Sequence, residues 1–217
     1  TVGASVGGYY GAGVQGGVGF LFSDMLGNHQ LVAVAQANGT FKDIGGQVQY
    51  LNMARRLNWG LSAAHIPVQY YAGEGVLTSG EYAVLRDRVF ITQGAGLAAY
   101  PLSTTRRFEA DLGVTRYGFS READIYAYDA AGNFVPVDRR EFDAPDPVYL
   151  ARSGAAYVTD FSNFGFTSPV QGGRSRFQIT ANYINDTQYV DSLGTRRFVT
   201  ALADVRRYFF KKPFTFA

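Results

Sequence analysis

Apolar and polar residues alternate with a period of two along much of the chain. The segment Arg106 to Tyr117, RRFEADLGVTRY, shows this most plainly. Phe108, Ala110, Leu112 and Val114 fall on one parity; Glu109, Asp111, Gly113 and Thr115 fall on the other. A strand turns successive side chains to opposite faces, so this segment has one apolar face and one charged face. The pattern returns at 177–183, where Phe177, Ile179, Ala181 and Tyr183 oppose Arg176, Gln178, Thr180 and Asn182. It returns again where Val199, Ala201, Ala203 and Val205 oppose Thr200, Asp204 and Arg206, with Leu202 as an exception.

Taken in order, the alternation and its turn signals predict strands at 1–9, 14–23, 29–38, 44–53, 59–71, 89–100 and 106–119. Further strands are predicted at 149–161, 176–183 and 196–210, and an eleventh begins at Phe214. Residues 72–88 read as a longer connection, in which Glu81 to Leu85 suits either a helix or a strand edge. Arg121 to Pro147 reads as an exposed acidic loop carrying a hairpin at Ile125 to Val137. Short turns follow the second, fourth, sixth and tenth strands, and long connections follow the fifth and seventh. The whole chain, 1–217, reads as a single β domain.

Composition supports strands. Glycine reaches 26, phenylalanine 17 and tyrosine 15 among 217 residues, while proline is held to 7. There is no cysteine, which excludes disulfides and thiolate metal sites. No apolar run approaches ~18 residues, so a transmembrane helix is not expected. That says nothing against membrane strands, whose signal is only alternation. The net charge is +2, and arginine pairs such as Arg55 with Arg56 and Arg106 with Arg107 sit near turns without forming one basic stripe. No nucleic-acid partner is expected. The chain opens on Thr1 in strand-like sequence without a leader, which reads as a mature product or a fragment.

The open question is where the polar parity looks. In a soluble sandwich it faces water; in a membrane barrel it lines the lumen while the apolar parity meets lipid. Glu109, Asp111, Arg176 and Asp204 lie in mid-strand, which suits a wet lumen. Ala110 and Ala181 fill a dry core poorly but cost little against lipid. Phe22, Tyr100, Tyr183 and Phe209 near the ends of the apolar faces suit interfacial girdles. The favoured fold class is an all-β, antiparallel transmembrane β-barrel of about ten strands (10–12), with short periplasmic turns and longer extracellular loops. A soluble β-sandwich or barrel that binds a partner stays open, as does a small passive pore.

Candidate chemistry is sparse. His29 and His65 lack neighbouring ligands at metal spacing, Asp124 to Asp129 lacks calcium-loop spacing, and GGRS at 172–175 is not a phosphate loop. Glu109 and Asp111, at i and i+2, stand about 6 to 7 Å apart, a spacing that glycoside cleavage can use. Charge pairing with Arg176 or Arg206 is the simpler reading. No catalytic, cofactor or metal residue is assigned, and no enzyme is expected. Glu109, Asp111, Arg176, Asp204 and Arg206 form a candidate lumenal charge network with a structural role.

Five segments carry a family resemblance: GGVGFLFSDMLGNHQL (16–31), QYLNMARRLNWGLSAAHIP (49–67), AAYPLSTTRRFEADLGVTRY (98–117), GGRSRFQI (172–179) and TALADVRRYFF (200–210). In order and spacing they resemble the β-barrel domain of the Omp85/BamA superfamily of bacterial outer-membrane proteins, the surface-antigen family. The likeness is greatest to the branch whose barrel follows a TolB-like β-propeller. The resemblance implies a bacterial outer-membrane location and a sixteen-strand parent barrel, of which this chain covers about the first ten strands. The family's Arg-Gly motif, carried on a later loop, is not in this sequence. The implied partners are membrane lipid or detergent, lipopolysaccharide, and a periplasmic domain in the parent protein. The implied function is insertion or translocation of outer-membrane polypeptides, a role this chain is not expected to perform by itself.

Overall fold

The computed structural model describes residues 2–6, 14–38, 41–77, 80–165, 169–185, 196–211 and 214–216. Among these residues there is no α-helix. The strands are β1 (Val2–Val6), β2 (Val14–Ser23), β3 (His29–Asn38), β4 (Ile44–Asn52), β5 (Asn58–Val76), β6 (Tyr82–Ser103) and β7 (Arg106–Tyr128). They continue as β8 (Phe134–Phe142), β9 (Val148–Asp160), β10 (Asn163–Phe164), β11 (Pro169–Asn185), β12 (Arg196–Lys211) and β13 (Phe214–Phe216). One 3-10 turn, Phe41–Asp43, links β3 to β4.

All pairings are antiparallel and follow chain order: β1-β2-β3-β4-β5-β6-β7-β9-β11-β12-β13. β8 and β10 stand beside this path, on β7 and β11. The all-β, antiparallel expectation therefore holds. Among the described residues β1 pairs only with β2 and β13 only with β12, so the sheet is open between those two ends.

Two expected connections are strand instead. β5 runs on to Val76 and β6 begins at Tyr82, so most of 72–88 is paired backbone. The true turn is short: the Leu77 N–H donates to the Glu81 carbonyl at 2.7 Å, and the Gly80 N–H to the Leu77 carbonyl at 2.9 Å. Gly80 holds φ 83° there, a conformation glycine adopts without cost. Likewise β7 continues to Tyr128 and pairs with β8, so the expected exposed loop is largely a hairpin. The expected hairpin at 125–137 matches its turn. Asp129 accepts the Ala131 and Asn133 N–H groups at 2.9 and 2.8 Å, and these backbone bonds help hold its carboxyl below the ordinary aspartate range. The two ends of the sheet therefore differ in strand length more than in loop length. Alternation fails to predict this because Arg86, Asp87 and Arg88 put charge on both parities of β6.

Substantial contacts run between hydrogen-bonded neighbours, with β13 also touching β11 and the 3-10 turn lying against β3 and β5. No second layer covers the described sheet. Its buried apolar cluster is small: Ala83, Ala123 and Ile125, with Leu77 and Leu85 packed against them. Soluble folds bury a sheet face under another layer; here one layer carries both faces.

Candidate functional site: the two faces of the sheet

Register sets which side chains share a face. Phe108 lies opposite Tyr100 on β6 and Tyr157 on β9, and Tyr157 lies opposite Phe177 on β11. These four aromatics make one row, in which the Phe108 and Tyr157 rings sit 5.1 Å apart. Further along the same face run Leu112, Ser153, Ala181 and Val199, paired in sequence across β7, β9, β11 and β12. Toward the first strands the face continues through Trp59, Tyr50 and Leu31 to Phe22, with Tyr50 edge-on to Trp59 at 5.5 Å.

This apolar face is the more exposed one along β7. Phe108 is 53% exposed and Leu112 65%, whereas the side chains of Glu109 and Asp111 between them are 24% and 29% exposed. β11 repeats the inversion: Phe177, Ile179, Ala181 and Tyr183 are exposed, while Thr180 on the other face is buried. With no second layer over it, the polar face is shielded by its own paired side chains. The separation is incomplete, since Leu21, Leu97 and Leu202 lie on the polar parity and are exposed.

All five candidate residues, Glu109, Asp111, Arg176, Asp204 and Arg206, lie on this polar face. They form separate pairs. Arg107 Nε donates to Glu109 Oε1 at 2.6 Å, and Arg176 Nη1 donates to Glu109 Oε2 at 2.7 Å. Arg206 binds Asp204 through two hydrogen bonds of 3.0 and 2.9 Å. Asp111 pairs with neither expected arginine. Its partner is Arg152, whose Nη2 stands 3.2 Å from Oδ2 without hydrogen-bond alignment. Gly154 sits directly opposite Asp111 and leaves room for that carboxylate: a Cβ there would lie 2.5 Å from Oδ1. Glutamine, threonine and asparagine extend the polar face. Arg176 Nε donates to Gln178, and Gln178 Nε2 donates to Thr180.

A second ionic cluster, which alternation did not reveal, lies where β6 and β7 overrun the rest of the sheet. Arg88 is 1% exposed. It donates from Nε to Asp43 Oδ1 at 2.8 Å and from Nη1 to Glu122 Oε2. Lys42 bridges Glu122 and Glu141 at 2.5 Å each. Burial works to raise the Glu122 pKa, but the hydrogen bonds from Lys42 and Arg88 outweigh it and hold the carboxyl below the ordinary glutamate range. The same bonds, to Glu122 and Glu141, hold Lys42 above the ordinary lysine value. Asp124, expected in an exposed loop, is buried between Arg86 and Arg139 at 2.8 and 2.7 Å. The sequence signal for this cluster was charge at alternate positions: Arg86 with Arg88, and Glu122 with Asp124.

Among the described residues no group of three or more histidine or acidic side chains is placed to hold a metal ion. Each carboxylate named in the two clusters has an arginine or lysine nitrogen within 4.0 Å. Comparison with protein-family models, with curated proteins and with solved structures finds no match.

Proposed function

We propose that this chain is a section of the wall of a bacterial outer-membrane β-barrel, with its apolar face toward lipid and its polar face toward the lumen. The inversion along β7 carries this reading: Phe108, Leu112 and Val114 are the exposed side chains, and the paired carboxylates between them are the sheltered ones. A single-layer sheet with such faces has no favourable place in water. In a bilayer the same faces are both satisfied.

Dimensions come close. On β7 the apolar parity is bounded by Arg106 and Arg116, with about nine residues between them, the length of a transmembrane strand. On β9 it is bounded by Tyr149 and Tyr157, which stand about 27 Å apart along the strand. A tilt of ~40° reduces that to about 21 Å, a few ångströms short of the ~25 Å apolar band of outer-membrane barrels, with the tyrosines at the level of its aromatic girdles. In this reading the turns at 24–28, 53–57 and 104–105 are periplasmic, and the β6–β8 extension projects outward. Closure requires pairing beyond the β1 and β13 edges described above. The resemblance to the Omp85/BamA superfamily supplies the wider role, insertion or translocation of outer-membrane polypeptides. The chain contributes barrel wall to that role and has no enzymatic function or cofactor.

The chain has one tryptophan, Trp59, on the apolar face. In vesicles whose acyl chains carry bromine, Trp59 fluorescence is expected to be quenched, and unheated protein to migrate faster on a gel than heated protein. A monodisperse protein without detergent, with Trp59 unquenched by such vesicles, overturns the reading.

A further inference from the structure

Most polar-face arginines of the β7-β9-β11-β12 wall are paired: Arg107, Arg152, Arg176 and Arg206 each have a carboxylate within 4.0 Å, while Arg174 and Arg196 have none among the described residues. On the apolar face Arg106 and Arg116 of β7 and Arg197 and Arg207 of β12 have none among the described residues. Arg197 instead lies over the Tyr183 ring at 5.6 Å and Arg207 over the Phe161 ring at 4.9 Å. They fall at the two ends of the apolar band: Arg106 and Arg207 beyond the Phe108 row, Arg116 and Arg197 toward the long-strand end. An arginine at the margin of an apolar surface, with no protein carboxylate, presents its charge to whatever lies against that surface.

Between these ends the apolar face is hollow. Two adjoining depressions of about 660 and 490 Å³ lie over β9 and its neighbours. Their floor is set by small side chains, Ala151, Ser153, Ala155 and Ala181, while Leu112 on β7 and Val199 on β12 rise on either side. Arg197 lines the larger depression, and Arg116 is the next residue on the apolar parity after Val114, which lines its other margin. Arg197 is level with Val114, so Arg116 stands three strand spacings across and two residues further along, about 16 Å away.

We propose that this groove seats an acyl chain of an anionic lipid, whose phosphate headgroup is bound by Arg116 and Arg197. The groove supplies apolar contact over small residues, and the arginines supply charge-assisted hydrogen bonds that no protein group uses. Charge complementarity selects the headgroup: a zwitterionic lipid fills the groove equally well but gains less at the arginines. The proposal rests on the membrane reading above.

Native mass spectrometry of the chain refolded in detergent, with dimyristoyl phosphatidylglycerol or dimyristoyl phosphatidylcholine added, tests it. These probes share acyl chains and differ in headgroup charge. The wild-type chain is expected to retain phosphatidylglycerol preferentially. The double variant R116Q/R197Q is expected to lower that preference about tenfold. S153F, which fills the floor, is expected to reduce retention of both lipids while keeping heat-modifiable migration. Equal retention of the two lipids by the wild-type chain, or a preference unchanged in R116Q/R197Q, overturns the groove assignment while Trp59 quenching leaves the membrane reading intact. Absence of Trp59 quenching overturns both.

Discussion

Glu109 on β7 accepts a hydrogen bond from Arg176 on β11 at 2.7 Å, although β9 runs between them. The pair thus ties together strands that share no backbone hydrogen bonds. Both side chains are partly sheltered, so the pair is worth more than a surface ion pair and less than a fully buried one. A double-mutant cycle with E109Q and R176Q is expected to give a coupling of about 1 kcal/mol in urea unfolding from lipid vesicles. A coupling near zero would mean that this tie adds nothing to holding β7 and β11 together across β9.

Leu112 gives opposite predictions for water and for lipid. At 65% exposure in water, L112R would change stability by only about 0.5 kcal/mol. Facing the bilayer midplane, the same change costs about 2–4 kcal/mol. The expected outcome is the larger loss, measured by reversible unfolding in vesicles.

Arg88 holds Asp43 and Glu122 together from the centre of their cluster. Removing it takes the shared cation from two buried carboxylates while Lys42 stays on Glu122, so R88A is expected to cost about 3 kcal/mol. The loss should be local. Amide exchange at Glu122 and Asp124 is expected to quicken, while the β9–β11 amides keep their protection. R88K is expected to restore only part of the protection, because a lysine cannot address both carboxylates in the planar geometry that guanidinium uses.

The same cluster sets a pH dependence. The folded Glu122 carboxyl titrates below its unfolded value, so its contribution is complete above the unfolded pKa of about 4.3 and is lost as pH falls through the lowered folded value. Lys42 is raised, so its contribution is complete below about 10.4 and is lost as pH rises through the raised folded value. Protection of the β6–β8 extension is expected to be level between about pH 5 and 10 and to fall on either side. E122Q should remove much of the acid-side loss; an unchanged acid limb in that variant would show that Glu122 does not set it.

How much of this was legible in the chain depends on whether the determining pattern is local. β2 and β3 occupy the residues that alternation predicts, and β4 and β12 differ from prediction by one residue at an end. The polar face was legible because Glu109, Asp111, Arg176 and Asp204 each alternate with an apolar parity. The overrun of β5, β6 and β7 was not, because charges on both parities imitate a loop. Partners were harder still. Arg152 reaches Asp111 because β9, not β8, takes the edge of β7 at that level, and Asp43 meets Arg88 across β5. Register and strand order decide those meetings, and neither is written in a strand's own residues.

β7 pairs with β9 through Arg106 to Tyr117 and with β8 through Arg121 to Tyr128, both along one edge. The two sets of pairs share no residue. β7 is therefore two strands in series, one belonging to the wall and one to the hairpin above it. The hairpin can lengthen, shorten or change its side chains without shifting a single pair in the wall. Variation at one end of this sheet is decoupled from register at the other.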